Sequence, residues 1–103
     1  CRHAFYRFYA YIRPENMKKG WSRDRIFDEL HRRRVPCFSG TCPEIYLEEA
    51  FAATDYRPDK RLKNARILGE TSLAFLVHPT LTQDELDVLK VGVEEVFGAA
   101  CKI

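Results

Sequence analysis

Residues 3 to 12 read HAFYRFYAYI, and their strict alternation constrains the fold more than any other stretch. One side of an extended chain would carry Ala4, Tyr6, Phe8, Ala10 and Ile12, and the other His3, Phe5, Arg7, Tyr9 and Tyr11. Aromatic density with a period of two favours a β-strand over a helix. The first side is expected to face a core. The second is amphipathic and is expected to be half covered by something else. A chain that starts this way needs further strands to pair with, and helices to close the inner face.

The remaining punctuation supplies them. Arg13-Pro14-Glu15-Asn16 ends the strand, and Ser22 caps a helix that places Asp24 in its first turn and runs to about Arg34. Ile26, Phe27 and Leu30 form its apolar face. Val35-Pro36-Cys37-Phe38 reads as a short strand that starts at Pro36 or lies on an edge, since proline has no amide to donate. Pro43 can open a helix over 44 to 53, and 54 to 60 is a polar loop. Arg61 to Glu70 reads as another helix with Leu62, Ala65 and Leu68 or Gly69 inward. Ser72 to Val77 is a continuous apolar run that His78-Pro79 ends, the pattern of a buried strand. Thr82 and Glu85 make a capping box with Leu81 placed to staple against Leu86. Leu86, Leu89, Val93, Val96, Phe97 and Ala100 then form one stripe of the last helix. The predicted fold is α+β in two layers: a small three- to four-stranded sheet with helices mainly on one face. Its order is strand, helix, strand, helix, helix, strand, helix.

Length and charge narrow the function. At 103 residues the chain is one domain, able to bury roughly 65% of its unfolded surface without staples. No apolar run approaches the ~20 residues of a membrane span, and CRHAFYRF is not a signal peptide, so a cytoplasmic setting is expected. A net charge of +2 gives no nucleic-acid footprint. The cluster His31-Arg32-Arg33-Arg34 is read as cations at a helix C-terminus. The chain begins with Cys and contains only Met17 as methionine, so it is expected either to have been processed or to be a piece of a longer protein.

The segment PCFSGTCPEIYL, 36 to 47, is the first place to look for chemistry. Cys37 and Cys42 stand as C-x4-C without a second cysteine pair or a histidine at finger-like distance, so no metal site is assigned. A disulfide between them does not suit a reducing compartment. A nucleophilic cysteine needs a base, and His78 stands at a strand end, but nothing in the sequence brings it to either cysteine. Glycine-rich phosphate loops are missing from the sequence. Residue chemistry alone therefore describes a well-formed domain with no catalytic residue of its own.

The stretches HAFYRFYAYIRPE, WSRDRIFDELHRRRVPCFSGTCPEIYLEEAF and LGETSLAFLVHPTLTQDEL together resemble the C-terminal part of DegT/StrS-type sugar aminotransferases. These are pyridoxal-phosphate (PLP) enzymes of the aspartate aminotransferase fold, type I. The sharpest parts are R-D-x-I-x-x-x-L leading into V-P-C-F, and S-L-x-F-L-V-H-P-T-L-T. The resemblance implies amino transfer from an amino acid, usually glutamate, to a keto group on a nucleotide-linked sugar, in polysaccharide, lipopolysaccharide or aminosugar biosynthesis. It implies that PLP sits on a lysine of an N-terminal large domain, outside this chain, so that this domain alone binds no cofactor and is inert. The large domain of the same polypeptide, a second copy in a homodimer and the nucleotide sugar are the implied partners, with no nucleic acid or membrane. Many members carry an H-Y-P-x-P-L-H loop after the second strand. Here the place reads S-G-T-C-P-E-I-Y, and Tyr46 stands where the second histidine falls. Ser39, Gly40, Thr41 and Tyr46 are therefore the expected cleft-edge residues, with His78 a further candidate. The competing reading is a stand-alone binding module that keeps the fold without the enzyme. Under the enzyme reading an uncovered apolar face is expected on the His3/Phe5/Tyr9/Tyr11 side or around 39 to 46.

Overall fold

A computed structural model of the chain describes residues 6–40 and 42–102. The apolar run at 72 to 77 forms the central strand of a three-stranded antiparallel sheet. Strand β1 (Arg7–Tyr11) and strand β2 (Cys37–Phe38) flank β3 (Ser72–Leu76), in the order β1-β3-β2. Being central, β3 is buried along its length except at Leu76. Pro36 lies just outside the paired part of β2, which is an edge strand as its missing amide demands.

Register decides the two faces. Phe8 pairs with Phe75 and Ala10 with Leu73, while Cys37 pairs with Phe75 from the other side. These residues point toward helix α1 (Arg23–Arg32) and helix α3 (Gln83–Ala100). Ile26, Leu30, Val35, Cys37, Leu73, Phe75, Val96 and Ala100 make one buried cluster, with Ala10, Phe27, Leu89, Val93 and Phe97 packed around it. The sequence parity of β1 is thus right, but its coverage is not. Tyr6 is 83% and Phe8 49% exposed on the side expected to be core. Ala4, His3 and Phe5 lie outside the described residues.

Both long helices begin where their side chains dictate. Ser22 accepts a hydrogen bond from the Arg25 amide, and Thr82 with Glu85 closes a reciprocal capping box. The α1 terminus is less ordinary. The Val35 amide bonds to the Leu30 carbonyl at 3.0 Å and the Arg34 amide to that of His31, also at 3.0 Å. This is a Schellman turn, and its left-handed position is held by Arg34 with φ of 60°, where glycine is usual. Gly92 lets α3 come close to this turn. A Cβ there would stand 2.5 Å from Val35 Cγ2.

Two expectations are corrected. The helix expected over 44 to 53 is instead two separate 3-10 turns, Ile45–Leu47 and Glu49–Phe51, divided at Glu48 in an extended conformation (φ −59°, ψ 148°). The carbonyls of Tyr46, Leu47 and Glu48, which a continuing helix would use, accept instead from the Arg57 guanidinium at 2.9, 2.9 and 3.2 Å. The other correction concerns helix α2 (Lys63–Thr71), which begins at Lys63 rather than Arg61. Leu62, expected inward, is 51% exposed; Ala65 is half-buried as expected, and of Leu68 and Gly69 it is Gly69 that turns inward, Leu68 being 48% exposed. Gly69 meets Pro43, whose Cγ would lie 2.2 Å from a Cβ placed there. No helix among the described residues is long and apolar enough to cross a membrane.

Candidate functional site

The turn after β2 is shaped from below by β3. The Ser72 hydroxyl donates to the Ser39 carbonyl at 2.7 Å. Gly40 follows with φ of 91°, and a Cβ there would stand 2.9 Å from Ser72 Oγ and 3.8 Å from Tyr9 Cε1. Backbone conformation and space both require glycine at this point. Ser39 is left exposed at the turn, Thr41 lies outside the described residues, and Pro43 rests on Gly69. Beside the turn, Tyr9, Tyr11, Pro43, Ala65, Leu68 and Ser72 line a hollow of about 330 Å3. Tyr9 and Tyr11 are 38% and 53% exposed, an uncovered aromatic face on the side where the alternation placed one.

Tyr46 takes a different position from that turn. It is buried, and its hydroxyl donates to Glu44 Oε1 at 2.7 Å while accepting from the Leu62 amide at 2.8 Å. Glu44 is gripped through both oxygens by Arg61, whose Nε lies 2.9 Å from Oε1. The Arg61 guanidinium, with the Tyr46 hydroxyl second, holds the Glu44 carboxyl down at about 2. Burial and the neighbouring carboxylate push the Tyr46 phenol up. The single hydroxyl proton of Tyr46 is therefore committed inside the domain.

His78 is exposed and lies in another depression. Its Nδ1 accepts from the Thr80 amide at 3.3 Å and sits 2.6 Å from the Thr80 hydroxyl, so it shapes the approach to α3. It lines a groove of about 690 Å3 with Phe8, Phe75, Leu86, Leu89 and Val93. The structure thus brings Ser39 and Gly40 together with Tyr9, Tyr11 and Ser72, sets Tyr46 in a hydrogen-bonded network, and places His78 elsewhere.

Cys37 and Cys42 have no activating surroundings. Burial raises the Cys37 thiol to about 11, and His31 Nε2 donates to the Cys37 carbonyl at 2.7 Å rather than to its sulfur. Cys42 is exposed, and its thiol donates to Glu48 Oε1 at 3.3 Å, an acceptor that raises its pKa. A reactive thiolate needs the opposite shift. Among the described residues, no group of three or more potential ligands could hold a metal ion.

The residues that sequence reasoning passed over are Glu44, Arg57, Arg61 and Ser72. The signal available was Gly69 in a helix interior, since such a glycine marks a close approach. The partner of that approach is not local and could not be named.

The lysines bear on the cofactor that the resemblance implies. Lys18, Lys19, Lys60, Lys63, Lys90 and Lys102 are all exposed, and Lys18 and Lys102 donate to the Gly98 and Glu15 carbonyls. None has an enclosed setting of the kind a Schiff-base lysine occupies within this chain.

No family model matches this chain, and no curated protein matches it. Among solved structures, an aminotransferase from Psychrobacter cryohalolentis is similar at 52% identity with a TM-score of 0.89. The similarity covers 94% of this chain and 25% of that one, so the chain spans a quarter of the length of that relative.

Proposed function

We propose that this chain is the C-terminal small domain of a PLP-dependent sugar aminotransferase of the DegT/StrS type. The observation that carries the reading is the 52% identity, over 94% of the chain, to one quarter of an aminotransferase. The S-L-x-F-L-V-H-P-T-L-T and V-P-C-F motifs support the narrower type. In this reading the enzyme moves an amino group from an amino acid such as glutamate to a keto sugar carried on a nucleotide, in the cytoplasm. When bound, PLP acts as the electron sink of the transfer. Its lysine and phosphate-binding groups belong to a large domain of the same polypeptide, and two such polypeptides form a dimer.

This domain contributes the edge of the substrate cleft. Ser39 presents a hydroxyl on a turn whose backbone Gly40 and Ser72 fix. Tyr9 and Tyr11 offer a half-exposed aromatic wall beside it. Ser39, Gly40 and Thr41 remain the cleft-edge candidates, with His78 assigned to a separate groove. The test is to express the full-length polypeptide with PLP and supply glutamate and a panel of nucleotide-linked keto sugars. Formation of 2-oxoglutarate with one of them is expected; no transfer to any member of the panel would sink the reading.

A further inference from the structure

We infer that Glu44, Tyr46 and Arg61 are positioning residues that preset the 39–47 turn as the acceptor edge of the cleft; this rests on the function proposed above. The turn is pinned at three points. Its start hangs on Ser72, through the 2.7 Å bond to the Ser39 carbonyl. Its middle is seated where Pro43 meets Gly69. Its end is held by Tyr46, whose hydroxyl links Glu44 to the Leu62 amide at 2.7 and 2.8 Å, and by Arg57 on three successive carbonyls.

The choice of buried residue is what points beyond stability. Within the 3-10 turn the chain buries the polar Tyr46 and leaves Ile45 60% and Leu47 43% exposed. A segment built only to stabilise this domain would not leave both aliphatic side chains in water, since burying them is favourable. Local rules broken in this way mark functional segments. Here the network fixes the backbone at 44–47 while Ser72 holds Ser39, so both described ends of the cleft edge are set before any ligand arrives. Preorganised placement of that kind acts on substrate binding and on the step it orients, while leaving the other half-reaction alone.

The experiment uses the full-length polypeptide with Tyr46→Phe, which keeps the ring and removes only the hydroxyl. KM for the keto sugar is expected to rise about tenfold, while the half-reaction with the amino donor proceeds at its original rate. Glu44→Gln, which keeps an acceptor for Tyr46 but loses the charge that Arg61 pairs with, is expected to fall between. Hydrogen exchange of the Leu62 amide should accelerate in Tyr46→Phe, since its acceptor is gone. Equal loss in both half-reactions would reduce the network to a folding element and overturn the inference. An unchanged KM, or unchanged protection at Leu62, would overturn it as well. A full-length polypeptide that transfers no amino group overturns the proposed function instead, and the Leu62 measurement alone then judges the latch.

Discussion

The two faces of the sheet are built on different physics. On the helix side, Leu73 and Phe75 of β3 are 0% and 7% exposed and pack against Ile26, Leu30 and Val96. On the other side, Tyr9 and Phe38 flank Ala74 in register and are 38% and 50% exposed. Small residues and single hydrogen bonds organise that side: Gly40 on Ser72, Pro43 on Gly69, Tyr46 on Glu44. The closed face supplies stability through buried apolar area. The open face supplies shape, held by contacts too few to carry a fold. A domain that must remain folded while presenting one surface is well served by that division.

The division breaks most visibly under truncation. Leu73→Ala is expected to lose about 2–5 kcal/mol of stability, because a fully buried leucine leaves a cavity that its neighbours cannot fill. Phe38→Ala, half exposed on the opposite face, should lose about 1 kcal/mol or less on the same surface-burial reasoning. Urea denaturation of both variants measures the contrast, and comparable losses would mean the faces do not differ as argued. Next in size is Gly92→Ala. Its Cβ would meet Val35 Cγ2 at 2.5 Å where α3 crosses the end of α1, and overpacking there is expected to cost about 1–3 kcal/mol.

Acid tests the open face through Glu44. Glu44 has an ordinary value of 4.5 and is held at about 2 in the folded domain, chiefly by Arg61. A depressed folded-state value means the stabilisation is present above the unfolded value. It is therefore complete above about pH 4.5 and lost as pH falls toward 2. Glu29 and Glu85 are also lowered, the first by Arg33 and the second by Thr82, so the whole domain weakens in acid. Glu44→Gln should remove one component of that slope. A denaturation series from pH 7 to 2 in which wild type and variant lose stability in parallel would contradict the assignment.

What the sequence made legible follows from how local each cause is. The caps at Ser22 and Thr82 bond to amides three residues away, and β3 announces itself by an unbroken apolar run. The α+β class and the strand and helix order around them were therefore readable. The 44–53 segment was not, because Arg57 and Arg61, 9 to 17 residues further along, decide where its carbonyls and carboxylate bond. For the same reason Tyr46 was legible as a residue near the turn but not as one whose hydroxyl is already engaged. Ser39 and Gly40 were readable as a turn; their seat on Ser72, 33 residues from Ser39, was not. In β1 the alternation gave the correct parity. It could not say that the helices stop short of Tyr6 and Phe8, since coverage depends on where α3 crosses.

The smallest expected effect tests whether the closed face is also locally optimised. Arg34 occupies the left-handed position of the α1 Schellman turn, with φ of 60°. A non-glycine residue there costs about 1–2 kcal/mol of backbone strain. Glycine would relieve that strain but lose about 0.5–1 kcal/mol through the freedom it gains when unfolded. The Arg34 stem also lines a depression of about 410 Å3 with Pro36, Leu76, Leu81 and Val88, a contact that glycine would forfeit. These contributions oppose one another, so Arg34→Gly should change the urea midpoint little, with a net gain below about 1 kcal/mol. A loss of stability instead would show that the arginine stem over the α3 edge outweighs the strain of the turn. The closed face would then extend to a residue that its backbone alone argues against.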